Sequence, residues 1–306
     1  MLIKVLPYFQ KKIWGSNRLQ RFNFKINQDQ KIGEAWIVSG YQSKSSYVPN
    51  YDLTLDQLWI KNLNHIFGKS LKYQEFPLLI KILDANQDLS VQVHPDDQII
   101  NQQLVFGKPE AWYILEAPQS KKLIYGHHAH NKTEFLHYSN KKEWSKLLKY
   151  VKVKKNDFLY IPAGKVHALT TKSIVLEIQK SCDITYRIYD YDRLGLNQKK
   201  RELHLDQALK AISFPDSNLK ITNDDSALLL KTNFFTIYLF ETITKNKKEI
   251  NFVIKQNWAI IVVIKGQGLI NNQFVSIGES FILSYQEQQT LTIKKNLKVM
   301  VCYLTN

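Results

Sequence analysis

The sequence predicts a mainly β protein of the sandwich or barrel type, arranged as two β-domains with a few inserted helices. Two observations indicate this fold class. Short runs rich in β-branched and aromatic residues recur along most of the chain, and turn residues, not long helices, separate them. The 306 residues are 44% apolar, which is enough to bury a core in each of two domains.

The first two thirds of the chain contain the strands expected for the larger domain. Six runs combine high β propensity with nearby turn signals: 79–85, 111–115, 122–126, 157–163, 174–179 and 185–191. Their spacing favours antiparallel sheets over alternating strand–helix units.

Three stretches have helical periodicity and interrupt these strands. Residues 54–68 begin with a capping box, Thr54 with Gln57, and stop at Gly68. The other two helices are predicted from apolar stripes at Trp144, Leu147, Leu148 and Val151, and at Leu205, Ala208, Leu209 and Ile212. We expect these stripes to be buried in the core.

A polar segment with a proline, residues 213–226, predicts a linker between the two domains. Five further β-runs follow it: 234–241, 258–270, 279–284, 291–295 and 298–304. The predicted domains are therefore a larger one at 1–213, with the helical insertions, and a smaller one at 214–306. The smaller domain contains no histidine and is expected to hold no metal ligands.

Composition excludes several classes of protein. There is no signal-peptide pattern and no apolar run long enough to span a membrane, so we expect a cytoplasmic protein without a membrane partner. Cys182 and Cys302 are too few and too far apart for a disulfide framework. The net charge of +15 raises the possibility of nucleic acid, but the lysines are dispersed and no binding motif accompanies them. A small anionic substrate fits the charge better.

Four segments gather residues able to carry chemistry: 90–94, 107–115, 160–169 and 176–193. In the first, Ser90, Gln92 and His94 share one face of a strand, because side chains alternate between faces. Together the segments offer two imidazoles, a carboxylate and an amide oxygen, which can hold a divalent metal. The histidine-rich run at 127–130 is instead expected to be an exposed loop, and Asp96 and Asp97 to be turn residues at the surface.

These segments resemble, in order, the signature segments of type I mannose-6-phosphate isomerases in their short bacterial form. The matching stretches are FPLLIKILDANQDLSVQVHPDD (76–97), GKPEAWYIL (107–115), IPAGKVHAL (161–169) and LEIQKSCDITYRIYDYDR (176–193). The resemblance implies cupin-type jelly-roll β-sandwiches, with one Zn²⁺ per chain. It also implies interconversion of mannose 6-phosphate and fructose 6-phosphate by proton transfer through an enediol.

The resemblance also assigns site residues. The implied metal ligands are Gln92, His94, Glu110 and His167, and the implied catalytic residues are Lys108, Glu177, Asp183 and Arg187. Asp183 or Glu177 is a reasonable base if partial burial raises its pKa. Arg187 suits a phosphate or a developing oxyanion, with Ser90 and Lys108 completing the anion site.

Alternatives remain open at this point. Two histidines and a carboxylate also describe an iron-dependent cupin, and the same pocket would suit a non-catalytic sugar-phosphate sensor. The sequence leaves open whether the chain is a monomer or a homodimer. Asn156 stands where the family often has glycine before a turn, and we expect it to accept a left-handed backbone conformation.

Overall fold

A computed structural model describes residues 1–27, 29–61, 63–68, 73–100, 103–217, 221–222, 227–242, 249–285 and 289–305. The chain is mainly β, as predicted. Among these residues no helix combines the length and the apolar character needed to cross a membrane.

Antiparallel strands are the main regular secondary structure of the chain up to residue 222. They are β1 (Leu2–Val5), β2 (Tyr8–Ser16), β3 (Ile32–Ser39), β4 (Tyr47–Val48), β5 (Leu53–Thr54), β6 (Leu78–Ala85), β7 (Val91–Val93), β8 (Gln98–Ile100), β9 (Gln103–Val105), β10 (Glu110–Glu116), β11 (Lys122–His127), β12 (Leu148–Lys152), β13 (Phe158–Ile161), β14 (His167–Ala168), β15 (Ser173–Lys180), β16 (Tyr186–Tyr189) and β17 (Ile221–Thr222). The six strands predicted in this part correspond to β6, β10, β11, β13, β15 and β16.

The C-terminal part is also built of strands. They are β18 (Leu228–Lys231), β19 (Phe235–Glu241), β20 (Glu249–Ile254), β21 (Ala259–Ile270), β22 (Gln273–Ser276), β23 (Ser280–Leu283), β24 (Gln289–Lys294) and β25 (Leu297–Leu304). The five predicted runs correspond to β19, β21, β23, β24 and β25.

Short helices lie between the strands: α1 (Leu55–Ile60), α2 (Asn64–Phe67), α3 (Lys132–Asn140), α4 (Trp144–Leu147) and α5 (Leu205–Ala211), with a 3-10 helix at Arg18–Phe22. The predicted helix at 54–68 is thus two helices. Its capping box is present, since the amide of Thr54 donates to Gln57 Oε1 at 3.1 Å, and Gly68 follows α2 with φ +83°. Helix α5 confirms the third prediction, and α3 was not predicted.

The prediction of one helix across the stripe from Trp144 to Val151 is wrong. Helix α4 ends at Leu147, and Leu148 begins β12, which pairs with β11. The apolar residues serve two cores, because Leu147 and Leu148 pack under the helices whereas Val151 packs between the sheets. Tyr150 and Val151 have high β propensity, so pairing with β11 outweighs the helical spacing.

Two facing sheets form the larger sandwich. One has the strand order β17, β13, β10, β15, β6, β3, β2, and the other has the order β12, β11, β14, β7, β16. Apolar residues of both sheets fill the space between them, among them Trp112, Tyr125 and Val175. The outer face of the five-stranded sheet is covered by α3, α4 and α5.

The outer face of the seven-stranded sheet packs against the C-terminal sheet. Ile80 and Ile178 of the first sheet and Ile260 and Met300 of the second belong to one buried cluster. Strand β1 pairs with β23 of the C-terminal sheet, and β17 pairs with β13 of the larger sandwich. Two strands thus cross the boundary placed between residues 213 and 214, and the division into two domains stays a prediction. Residues 218–220 and 223–226 of the predicted linker lie outside the described residues.

Candidate metal centre and pocket

Two histidines on one sheet form the base of the site. His94 follows β7 and His167 begins β14, and these strands pair with Gln92 opposite His167. Both imidazoles are buried. Nδ1 of His94 donates to the carbonyl of Ile184 and Nδ1 of His167 to that of Lys165, each at 2.8 Å. With the proton on Nδ1, both Nε2 lone pairs are available at the centre of the site.

A carboxylate from the opposite sheet completes a cluster of three donors. Glu110, the first residue of β10, is fully buried. Its Oε1 lies 3.3 Å from Nε2 of His167 and its Oε2 lies 3.5 Å from Nε2 of His94. Neither oxygen has a hydrogen-bond partner among the described residues. Lys108 Nζ approaches Oε2 only to 3.5 Å. Because a buried carboxylate needs close compensating partners, the two oxygens between the imidazoles indicate a cation site.

Gln92 lies beside the same point. Its Nε2 is 3.5 Å from Nε2 of His94 and 3.4 Å from Nε2 of His167. A half-turn of the amide exchanges nitrogen and oxygen and directs Oε1 toward both imidazoles. The structure therefore brings together all four residues that the sequence assigned to the metal.

The charges of this cluster suit a divalent cation. Burial raises the pKa of Glu110, but the neighbouring groups, Lys108 first among them, together lower it by more, so the carboxyl is ionised. Burial lowers the pKa of His94 well below its ordinary value, and the charge of Lys108 lowers it further. The donor atoms of His94, Glu110 and His167 lie within 4.8 Å of one another. A neutral imidazole and a carboxylate are the forms that bind metals, so the donor set fits.

A pocket of about 250 Å³ opens beside the cluster, and Gln92 and Lys108, which flank the three donors, line it. The other residues predicted for catalysis or substrate binding also line it: Ser90, Glu177, Asp183 and Arg187. The remaining lining residues were not predicted from the sequence: Lys12, Trp14, Glu34, Lys81, Leu83, Leu89, Thr185 and Arg201.

Glu177 is held rigidly in the pocket wall. Nζ of Lys81 lies 3.1 Å from its Oε1, and Trp112 Nε1 donates to its Oε2 at 3.0 Å. Burial lowers the pKa of Lys81, but Glu177 and Glu34 raise it by more, so the ammonium stays charged. The sequence feature that could have predicted a role for Lys81 is its position as the one cation in the apolar strand LIKILDA (79–85).

Lysines surround the carboxylate of Asp183 and determine its pKa. Its side chain is 30% exposed, and Lys44 Nζ donates to its Oδ2 at 2.8 Å. Burial raises its pKa, but Lys81, Lys108 and Lys44 lower it by more, so the pKa lies below its ordinary value. The condition attached to Asp183 as a base, a pKa raised by partial burial, is therefore not met, because lysines surround the carboxylate.

Three arginines lie near the carboxylate of Asp190, and two of them, Arg187 and Arg201, line the pocket. Asp190 accepts from Arg193 Nη2 at 2.8 Å and from Arg201 Nε at 2.7 Å. Arg187 Nη1 donates to the carbonyl of Glu202 at 2.6 Å, and its Nε is buried without a partner in the described part of the chain. Burial and the nearby Arg201 lower the pKa of Arg187. One aspartate thus accompanies three guanidinium groups, which leaves a positive surplus.

Two residues outside the predicted site have unexpected partners. His127, expected in an exposed loop, is buried, and its Nε2 lies 3.1 Å from the carbonyl of Ser213. Asp97 is exposed, as expected, and also accepts from Lys180 Nζ at 2.7 Å and from the amide of Gly107 at 2.7 Å. Neither residue lines the pocket.

The two-sheet fold and the buried His-Glu-His cluster define a protein of the cupin class with a candidate metal site. Residues 2–122 match the family model for the phosphomannose isomerase type I catalytic domain. The chain is 38% identical over 294 residues to the probable mannose-6-phosphate isomerase GmuF of Bacillus subtilis strain 168, covering 90% of this chain and 91% of that protein. It therefore belongs to the type I phosphomannose isomerase family.

Two further comparisons agree with this membership. Mannose-6-phosphate isomerase ManA of Bacillus subtilis strain 168 is 38% identical over 292 residues, which is 91% of each chain. The crystal structure of the mannose 6-phosphate isomerase from Bacillus subtilis superposes with a TM-score of 0.87 at 34% identity and covers 99% of both chains. The cupin fold expected from the sequence is thereby confirmed.

Proposed function

We propose that this protein interconverts D-mannose 6-phosphate and D-fructose 6-phosphate with one zinc ion per chain. The observation that carries the proposal is the buried carboxyl group of Glu110, which faces two histidines beside a cationic pocket and whose oxygens have no hydrogen-bond partner among the described residues. Relatives named mannose-6-phosphate isomerase, aligned over about nine tenths of the chain, support the choice of substrate.

Gln92, His94, Glu110 and His167 would hold the zinc ion. Two imidazoles, a carboxylate and an amide oxygen form a donor set that zinc accepts, and the single carboxylate leaves the site with a net positive charge. When bound, zinc supplies a Lewis acid that polarises the sugar carbonyl and stabilises negative charge on the sugar oxygens.

We assign the proton transfer to Asp183. The pKa of Asp183 is not raised, but its lowered pKa leaves the carboxylate in the deprotonated form that a base requires, and Lys44 holds it through Oδ2 at the pocket wall. It accepts the proton from carbon 2 of the aldose and returns it to carbon 1, while the hydroxyl proton on the oxygen of carbon 2 passes to the oxygen of carbon 1, so that the aldehyde becomes the ketone through an enediol. Glu177 is less suited to this role, because Lys81 and Trp112 already engage both of its oxygens.

The cations divide into two groups by position. Lys108 lies 3.5 Å from Glu110 and places a charge beside the metal donors, where the sugar oxygens become negative. Arg187 and Arg201 line the pocket with Ser90 and suit the phosphate, since guanidinium groups match its oxygens in geometry and stay charged. An unphosphorylated sugar would leave this positive surplus without a partner.

A coupled assay with the purified protein tests the proposal. We expect fructose 6-phosphate to form from mannose 6-phosphate, and free mannose to react far more slowly because the arginine contacts are lost. Saturable binding of mannose 6-phosphate without any turnover in the presence of zinc would contradict the isomerase and identify a sugar-phosphate sensor instead.

A further inference from the structure

The segment that follows α5 packs against the turn that leads to a proposed metal ligand. We call residues 213–217 the strap and residues 162–167 the His167 turn. The amide of Ser213 donates to the carbonyl of Gly164 at 3.0 Å, and the carbonyl of Ser213 lies 3.1 Å from Nε2 of His127. This part of the predicted linker is therefore attached to the larger sandwich.

A buried ion pair fastens the strap to the turn. Lys165 Nζ lies 2.7 Å from Asp216 Oδ1, and the two side chains are only 1% and 3% exposed. The same ammonium donates to the carbonyl of Ser217 and lies 4.4 Å from the ring centroid of Tyr125. Lysine is almost never fully buried unless it is paired, so this pair is a strong constraint on the local backbone.

Gly126 shows how closely the strap approaches the sheet. It has φ +101°, and a Cβ at this position would overlap the carboxylate of Asp216. Only a glycine leaves the space that the aspartate occupies. The position of Asp216 is thus fixed by β11 as well as by Lys165.

The His167 turn contacts both proposed histidine ligands through its backbone. The carbonyl of Lys165 accepts from Nδ1 of His167 at 2.8 Å, and the amide of Gly164 donates to the carbonyl of His94 at 2.9 Å. A shift of Lys165 therefore changes the orientation of the His167 imidazole directly. Hydrogen bonds of this kind fix the tautomer and the direction of a metal-binding histidine.

We propose that Lys165, held by Asp216 of the strap, is a positioning residue that sets the metal affinity of the site through His167. This inference rests on the metal site of the proposed function but not on the reaction. It gives the strap a part in metal binding.

Lys149 offers a matched control. Its Nζ lies 3.3 Å from Asp216 Oδ2, so it shares the same carboxylate, but it projects from β12 and is 38% exposed. Lys165→Met leaves Asp216 paired with Lys149, and Lys149→Met leaves it paired with Lys165. Each variant thus removes one positive charge that lies beside Asp216. Only Lys165→Met also breaks the link between the strap and the His167 turn.

The experiment measures zinc dissociation constants of the metal-free proteins by competition with a chromogenic chelator, together with their thermal unfolding without metal. We expect Lys165→Met to weaken zinc binding about 10-fold, the lower end of effects seen for groups that orient metal ligands, and Lys149→Met to bind as the unaltered protein does. If Lys165→Met does not fold, Asp216→Asn tests the same link, since it keeps the shape and removes the charge.

Three outcomes would overturn the inference. Equal zinc affinity in folded Lys165→Met, or in folded Asp216→Asn if that variant is used, would show that the pair serves stability alone. An equal loss in Lys149→Met would show that the effect does not pass through the turn. If the unaltered protein binds no zinc, the proposed metal site itself is wrong, which the first two outcomes do not imply.

Discussion

Charged side chains at single positions determine what the pocket attracts. The lining contains more cations than anions, namely Lys12, Lys81, Lys108, Arg187 and Arg201 against Glu34, Glu177 and Asp183. Each of these three anions is paired with a lysine, while the guanidinium groups around Asp190 are in excess. This local surplus, more than the net charge of +15, supports the proposal of an anionic sugar as substrate.

Arg201 and Arg193 allow a direct test of the phosphate assignment. Both donate to Asp190, but of the two only Arg201 lines the pocket. Loss of a charged hydrogen bond costs about 1.5–3 kcal/mol, so Arg201→Met should raise KM for mannose 6-phosphate at least roughly 10-fold with a smaller change in kcat. Arg193→Met should leave KM near that of the unaltered protein. Steady-state kinetics decide, and equal effects of the two substitutions would contradict the assignment.

Glu34 provides a test of pH dependence. Burial raises its pKa, but Lys12, Lys81 and the indole of Trp36 lower it by more, to below 4.5. The unfolded chain therefore takes up the proton at higher pH than the folded chain does. The carboxylate stabilises the fold above pH 4.5, and this contribution is lost as the pH falls through the lower folded pKa.

Thermal unfolding across this pH range is the corresponding measurement. The Tm difference between the protein and Glu34→Gln should be largest near neutral pH and should shrink below pH 4.5. Glu249→Gln is the control, because the pKa of Glu249 is also lowered, by Asn251 and Lys294, but the group is exposed and contributes little to stability. A Tm difference for Glu34→Gln that does not vary with pH would disprove the electrostatic account.

At the scale of elements, strand alternation explains both what was predictable and what was missed. The two-residue spacing of Gln92 and His94 predicted that they would meet the metal from one strand, and they lie together. The same alternation places Lys81 on the pocket face of β6, between apolar residues that face the C-terminal sheet. A strand buried on both faces has no amphipathic pattern, so the direction of Lys81 depends on which neighbours flank the sheet.

Local conformations also include one that the sequence predicted and one that it missed. The left-handed conformation expected of Asn156 is present, with φ +74°, and its Oδ1 accepts from the hydroxyl of Tyr113 at 2.9 Å. The helix predicted across Leu148 and Val151 failed because pairing with β11 is a tertiary contact. The local sequence indicates which secondary structure a segment prefers, but not which strand of the folded protein pairs with that segment and overrides the preference.

The turn at Asn156 gives a prediction at this scale. Asn156→Ala and Asn156→Gly both remove the acceptor for Tyr113, but alanine also has a Cβ that disfavours positive φ. We therefore expect the alanine variant to be less stable than the glycine variant by about 1 kcal/mol. Urea denaturation followed by fluorescence measures the difference. Equal stability of the two variants would show that the backbone conformation is not what selects this residue.

For the whole molecule, the packing of two sheets creates the site. Glu110 starts a strand of the seven-stranded sheet, whereas His167 starts a strand of the facing sheet and His94 directly follows one, so the donor cluster exists only when the sandwich closes. The sequence predicted these residues because they lie in motifs with a recognisable order. Three residues from loops outside those motifs also contribute: Arg201 lines the pocket, Lys44 donates to Asp183, and Asp216 accepts from Lys165. Their contacts follow from tertiary packing alone.

Zinc titration of the metal-free protein tests the central claim most directly. We predict that turnover of mannose 6-phosphate rises in proportion to added zinc and saturates at one zinc ion per chain, and that His94→Ala, which removes a proposed ligand, neither binds the zinc nor turns over. Full turnover by the metal-free protein, or full turnover by His94→Ala, would contradict the account.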